Sequence, residues 1–185
     1  SGLLDFSNIP PNYYLLGLLS AFENRFQAMA DSMMREISWK QFFAIICVDL
    51  CRTPPTLREL SEILGSSHQN VKQILIKLER KGFVEFLPDE ADRRKQRIVL
   101  TRHCREFCDR NDNMSREIMN KLFDGVSERE ITSAIQTLMK IESNIREAYS
   151  LPILYLTYRN NITIFNQLIS NILTSKFWNF FCGNT

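Results

Sequence analysis

The chain has 185 residues, enough for one domain with an appendage, and 44% of them are hydrophobic, so a substantial core can form. Charged residues make up 24%, ordinary for a globular protein, and the formal net charge of +2 is too small to mark a nucleic-acid binder by itself. No stretch offers about 18 uninterrupted apolar residues, which argues against a membrane span. The distribution of charge says more than its sum. The segment 53–105 carries eleven basic residues against seven acidic, while residues 1–150 as a whole are balanced.

Pro10-Pro11 starts a helix, and from Tyr13 to Arg35 the apolar positions Leu15, Leu18, Leu19, Phe22, Phe26, Met29 and Met33 recur at helical spacing. Ser38-Trp39-Lys40-Gln41 has the form of a capping box, in which a serine accepts from a backbone N–H and a glutamine three residues on reaches back. The helix it opens runs to about Cys51 and is nearly all apolar. Together these helices form a first region, 1–52, expected to serve core and dimerisation.

Arg52-Thr53-Pro54-Pro55 breaks that helix, and Thr56-Leu57-Arg58-Glu59 is a second capping box. Leu57, Leu60, Ile63 and Leu64 face inward, and Gly65 ends the helix. The next helix opens at Ser66-Ser67-His68-Gln69, puts Val71, Ile74, Leu75 and Leu78 on its core face, and stops at Gly82. Two short amphipathic helices around a glycine turn form a helix-turn-helix. Phe83 to Leu87 and Ile98 to Leu100 then read as two strands, joined by a loop too long for a two-residue turn. The loop tip carries Arg93, Arg94 and Lys95, with Arg97 at its end. The expected architecture is mainly α with a small β-hairpin: a winged helix-turn-helix DNA-binding lobe over 53–102 plus a helical dimerisation region. Thr101 caps a long helix ending at Gly125, and Ser127-Glu128-Arg129-Glu130 opens a last one to about Tyr149, so that 103–150 completes the dimerisation region. Residues 151–185 differ, with six asparagines and no acid; they form an atypical tail in which Ile162, Phe165, Leu168, Ile169, Ile172, Leu173 and Phe177 can share one face of an extra helix.

The exposed face of the second helix of the pair, with Ser66, Ser67, His68, Gln69, Asn70, Lys72 and Gln73, suits entry into a major groove, where Gln and Asn can bond an adenine edge bidentately. Capping preference alone accounts for serine and glutamine at a helix start. It does not account for the polar set continuing through Asn70 and Gln73. At the loop tip, like charges repel unless an anion answers them, and an arginine there can enter the narrow, negative minor groove of A·T-rich DNA. Asp92 can orient Arg94 for that role.

The run Asp92-Arg93-Arg94 followed by Ile98-Val99-Leu100-Thr101, preceded by Leu78-Glu79-Arg80-Lys81-Gly82-Phe83-Val84, resembles the signature of the MarR (multiple antibiotic resistance regulator) family. Trp39-Lys40-Gln41 at the start of the second helix fits the same pattern, and the resemblance spans about 13–149. It implies a homodimeric transcriptional regulator, more readily a repressor than an activator, on pseudo-palindromic double-stranded operators. The first and last helices would interlock. By motif position, Arg94 would be the minor-groove arginine and Asp92 its partner. Cys104 departs from the glycine often found early in the helix after the wing. The family also implies an effector pocket between dimerisation helices and DNA-binding lobe; Tyr13, Tyr14, Phe22, Trp39, Phe42 and Phe43 are candidate linings for a small aromatic effector, with ordinary core packing the plainer reading of each.

Five cysteines, Cys47, Cys51, Cys104, Cys108 and Cys182, follow no recognisable secretion leader, so they are read as reduced thiols of a cytoplasmic protein. Cys47 and Cys51 fall in an apolar helix. Cys104 and Cys108, among Arg102, Arg105 and Arg110, are the better candidates for redox-active thiols. The spacings and the only two histidines, His68 and His103, do not suggest a metal site, and no cofactor loop or catalytic constellation suggests an enzyme. A second reading, from another class, is a winged-helix scaffold that binds proteins without sequence-specific DNA recognition.

Overall fold

A computed structural model describes residues 8–148. Six helices and one β-ribbon follow in order: α1 (Pro11–Met33), α2 (Trp39–Leu50), α3 (Leu57–Ile63), α4 (His68–Arg80), β1 (Val84–Pro88), β2 (Gln96–Leu100), α5 (Arg102–Leu122) and α6 (Glu128–Ala148). The tail 151–185, with Cys182, lies outside the described residues. The chain divides into two compact units, Ser1–Ile46 and Cys47–Thr185, with the boundary inside α2 rather than at the proline break 53–55.

Local chemistry sets the element boundaries. All three sequence-expected capping boxes form. Ser38 Oγ accepts from the Gln41 N–H at 3.3 Å and Gln41 Oε1 accepts from the Ser38 N–H at 3.1 Å. Thr56 with Glu59, and Ser127 with Glu130, repeat the arrangement. Each box satisfies backbone donors that a helix start would otherwise leave open. At the other end of α4, Gly82 has φ +74°, and Phe83 N–H reaches back to Leu78 O at 2.9 Å while Gly82 N–H reaches Glu79 O at 2.8 Å. That is a Schellman stop; a β-carbon would be strained at this φ, so the glycine is a backbone requirement.

In the first unit, α1 stacks its aromatic side chains toward the start of α2. Phe26 meets Trp39 edge-on at 4.8 Å between ring centroids, and Trp39 stacks on Phe43 at 6.0 Å. Asp31 Oδ1 accepts from the Trp39 N–H at 2.5 Å, which ties the end of α1 to the opening of α2. In the second unit the core is the inner face of the helix pair with the base of the ribbon. Leu60, Val71, Leu75, Leu78, Phe83, Val84, Ile98 and Cys104 are all fully or almost fully buried. Burial of each large apolar side chain here contributes roughly 1.5–3 kcal/mol. Phe83 packs edge-on against Phe107 of α5 at 5.1 Å and against His103 at 5.0 Å.

Candidate nucleic-acid interface

The α3–α4 turn and the β-ribbon form one structural piece. Gly65, at φ +60°, terminates α3, and Ser67 then caps α4 by accepting from the Asn70 N–H at 3.3 Å. The core face of α4 is buried, so the opposite face is fixed in orientation. Ser67, His68, Gln69, Asn70, Lys72 and Gln73 are exposed, and Ser66 is half-buried. Asn70 Nδ2 donates to Ser66 Oγ at 2.8 Å, so part of the expected reading set is held by the turn itself.

The ribbon is antiparallel, with Val84 opposite Leu100 and Pro88 opposite Gln96. Ile98 of β2 is buried, Arg97, Val99 and Leu100 are half-buried, and Gln96 is exposed. At the base, Thr101 closes the ribbon: its N–H donates to Phe83 O at 3.1 Å, its hydroxyl donates to Gly82 O at 2.5 Å, and the same oxygen accepts from the Cys104 N–H at 3.1 Å. One threonine therefore finishes the strand and caps α5.

At the tip, the turn is built on a buried aspartate that sequence inspection left among generic turn residues. Asp89 Oδ1 accepts from the Ala91 N–H at 2.9 Å and the Asp92 N–H at 2.8 Å, an Asx-type turn. Its Oδ2 accepts from Arg97 Nε. The Arg97 hydrogen bond, followed by these backbone N–H groups, holds the Asp89 carboxyl below the usual aspartate range. Asp92 behaves differently from the expectation for it. Its Oδ1 accepts from the backbone N–H of Arg94 at 3.2 Å, and its Oδ2 lies 3.6 Å from Lys95 Nζ. The aspartate thus orders the turn backbone, and its ion pair is with Lys95 rather than with the Arg94 guanidinium.

The basic side chains of the wing fall into two groups. Arg93 and Arg94 are exposed and make no side-chain hydrogen bond or ion pair among the described residues. Arg97 is only partly exposed and bonded through two of its nitrogens: besides the Nε bond to Asp89, its Nη1 donates to Pro54 O and to Glu59 Oε2, each at 3.1 Å. Arg97 was expected among the DNA-contacting residues, and the structure instead turns its donors inward. Glu59 and Asp89 are the partners that sequence alone did not supply. The signal for Glu59 was present, since the capping box fixed its position, but nothing in the spacing tied it to residue 97.

The cysteine pairs also separate. Burial pushes the Cys47 thiol up to about 12 and the Cys51 thiol up to about 11, and Cys51 Sγ donates to Cys47 O at 3.1 Å. In α5, Cys104 is buried and forms a thiol–thiol hydrogen bond with half-buried Cys108. That bond raises the Cys104 thiol, with burial adding to the effect, and lowers the Cys108 thiol. The hydrogen bond dominates here; Arg105 acts in the lowering direction on both but is the last of the influences. Among the described residues no cluster of three His, Cys, Asp or Glu side chains could hold a metal ion, and no helix is long and apolar enough to cross a membrane.

Of the candidate effector-pocket residues, Phe22, Trp39, Phe42 and Phe43 are linked through Phe26: Phe22 stacks on Phe26 at 5.9 Å, and Trp39 lies 6.1 Å from Phe42. Phe42 is buried, whereas Tyr13, Tyr14 and Phe22 are exposed.

A helix pair whose second member presents a polar face, followed by a ribbon with a basic tip, is a winged helix-turn-helix. Residues 50–95 match the model of the MarR family. Solved structures agree on the fold. A MarR/EmrR family transcriptional regulator from Acinetobacter sp. ADP1 superposes with a TM-score of 0.65 at 20% identity, covering 75% of this chain and 99% of the other. A cysteine-to-serine mutant of MarR from E. coli complexed with operator DNA gives 0.61 at 23% identity, covering 76% and 99%. FabT from Streptococcus pneumoniae in complex with DNA gives 0.56 at 23% identity, covering 74% and 99%.

Proposed function

We propose that the chain is a DNA-binding transcriptional regulator that acts as a homodimer and represses by occupying a pseudo-palindromic operator. The observation that carries this reading is the pairing of two exposed elements on one core. The polar face of α4 stands on a buried apolar face, and the wing beside it ends in two arginines with no counter-ion among the described residues. Uncompensated guanidinium groups on a small ordered turn suit a polyanion, because phosphate contacts release counterions and supply affinity. Ser66, Ser67, His68, Gln69, Asn70, Lys72 and Gln73 would meet the major groove, with Gln69 and Gln73 reaching base edges. Arg94 would enter the minor groove, with Arg93 and Lys95 on flanking phosphates.

Dimerisation is supported by the apolar side chains that α1, α5 and α6 leave exposed. Leu16, Phe22, Met119, Leu122, Leu138 and Ile145 are all between about two-fifths and three-fifths exposed. Such surface on long helices fits association with a second copy. Release of the operator would follow from any ligand or thiol modification that favours a spacing of the two α4 helices mismatched to one DNA turn. The aromatic series Phe22–Phe26–Trp39–Phe43 is the candidate effector surface, and Cys108 is the candidate thiol. Nothing in this reading asks for catalysis.

Retention on duplex DNA across a salt gradient tests it. Arg94→Ala should weaken binding and reduce the slope of log K against log salt by about one. Gln69→Ala should cost about 1–3 kcal/mol of discrimination between sequences and spare the slope. If wild-type protein passes over duplex DNA at low salt unretained, the scaffold reading takes its place.

A further inference from the structure

We infer that Arg97 is a positioning residue: its guanidinium latches the wing to the helix pair, so that the pose of Arg93 and Arg94 depends on Asp89, Pro54 and Glu59 rather than on the ribbon alone. The inference rests on the DNA-binding reading for its consequence, but its geometry stands independently.

A two-stranded ribbon is marginal by itself and needs something to pack or pair against. Here the outer edge of β2 is covered near its start. The Ile98 N–H donates to Pro55 O at 2.8 Å, and Thr56 bridges Arg97 in antiparallel fashion. That backbone contact brings residues 54–59 alongside the strand and places the Arg97 side chain where three segments meet. Nε is bonded to Asp89 in the tip turn, while Nη1 serves Pro54 O and Glu59 Oε2, both at 3.1 Å. Glu59 Oε2 in turn accepts from the Thr56 N–H at 2.7 Å and the Thr56 hydroxyl at 2.9 Å. One carboxylate oxygen therefore caps α3 and holds the wing. On the other side, Asp89 ties the guanidinium to the backbone of Ala91 and Asp92, one residue before Arg93. A continuous chain of bonds runs from the N-cap of the first helix of the pair to the basic tip.

This assembly uses what arginine has and lysine lacks. A planar fork can present Nε and Nη1 to acceptors on separate segments at once, whereas an ammonium on a flexible stem cannot hold that geometry. Arg97 is therefore distinct in role from Arg93 and Arg94, although all three belong to one basic run. Its charge is answered by Asp89 and Glu59; theirs meets no carboxylate among the described residues.

The decisive variant is Asp89→Asn, because the two accounts predict opposite signs. If the wing acts only through its charge, removing a carboxylate close to DNA tightens binding to a random-sequence duplex. If Arg97 is a latch, Asp89→Asn weakens it, by about three- to tenfold. Arg97→Lys keeps the charge and should weaken binding by a similar factor, and Glu59→Gln, which preserves a capping residue, by less. Arg97→Lys combined with Glu59→Gln should be less than additive, since both remove the same bond. Thermal unfolding of each variant, followed by far-UV circular dichroism, separates loss of the latch from loss of the fold. Tighter or unchanged binding by Asp89→Asn, or wild-type binding by Arg97→Lys, would overturn the inference. Should the wild-type chain not be retained on DNA, the functional reading falls, and hydrogen exchange then judges the latch alone. The Asp89 and Lys95 amides, which bond across the tip turn at 3.0 and 2.8 Å, should exchange several-fold faster in Arg97→Lys, and equal rates would refute it.

Discussion

The helix pair with its wing and the long helices α1, α5 and α6 solve the burial problem in opposite ways. Between residues 56 and 104 most of the large apolar side chains enter a shared core, and Val71, Leu75, Leu78 and Ile98 are completely buried within a single chain. Polar groups there are also satisfied locally, by caps, the Schellman stop and the Arg97 bonds. The long helices instead leave Phe22 58% and Ile145 53% exposed. The lesson is that the helix pair and wing bury their core within one chain, while the long helices leave large apolar side chains exposed.

Leu78→Ala should produce the largest effect predicted by that contrast. The Leu78 carbonyl accepts the Phe83 N–H at the C-terminal stop of α4, and the side chain is fully buried. Truncating it removes apolar contact and leaves a cavity, at a cost of about 2–5 kcal/mol. Denaturant unfolding should show this loss, and DNA retention should fall with it. A cost below about 1 kcal/mol would mean that the helix pair can collapse onto the gap and is less tightly specified than its burial implies.

Phe22→Ser should behave in the reverse manner. Its ring is exposed in the single chain, so stability measured on the monomer at low concentration should change by less than about 0.5 kcal/mol. If α1 forms part of a homodimer interface, the dimer dissociation constant should rise about tenfold, equivalent to ~1.4 kcal/mol. Sedimentation equilibrium of wild-type and variant protein reads this directly. An unchanged dissociation constant would remove α1 from the interface.

How much of this was legible in the sequence follows the same division. Capping boxes, glycine stops and the return strand through Ile98–Leu100 are local, and each was placed correctly because its chemistry spans a few residues. The fold class and the wing followed from them. What sequence did not carry was partnership at long range. Arg93, Arg94, Lys95 and Arg97 read as one basic cluster, since charge is visible in a sequence and counter-charge across 38 residues is not; Arg97 turned out to be bonded to Glu59 and Asp89. Asp92 was expected beside the Arg94 side chain, and it is bonded to the Arg94 backbone, because a turn aspartate meets nearby N–H groups before it can reach a flexible guanidinium. The aromatic series had the same limit: helical spacing put Phe22 and Phe26 on one face of α1 but could not pair Phe26 with Trp39.

The smallest effect concerns the thiols, where the two cysteine pairs offer a comparison at equal spacing. Both are one helical turn apart, and in sequence they differ only in their neighbours, apolar around Cys47 and Cys51 and basic around Cys104 and Cys108. In the structure, burial holds Cys47 and Cys51 up at about 12 and 11, so at neutral pH almost none of either is thiolate. Cys108, accepting a hydrogen bond from Cys104, titrates below the ordinary thiol range, and Cys104 above it. Since the thiolate is the nucleophile, alkylation by iodoacetamide should start at Cys108. Its rate should rise with pH and level off before the ordinary thiol range is passed, whereas Cys47 and Cys51 should respond only in strongly alkaline solution. Peptide mapping by mass spectrometry assigns each site, and it also keeps Cys182 separate. Replacing Cys104 by alanine removes the donor, so Cys108 should then level off at higher pH. If Cys108 reacts no faster than Cys51, or if Cys104→Ala leaves its profile in place, the thiol–thiol bond does not control its reactivity, and α5 loses its claim to a modification site that α2 lacks.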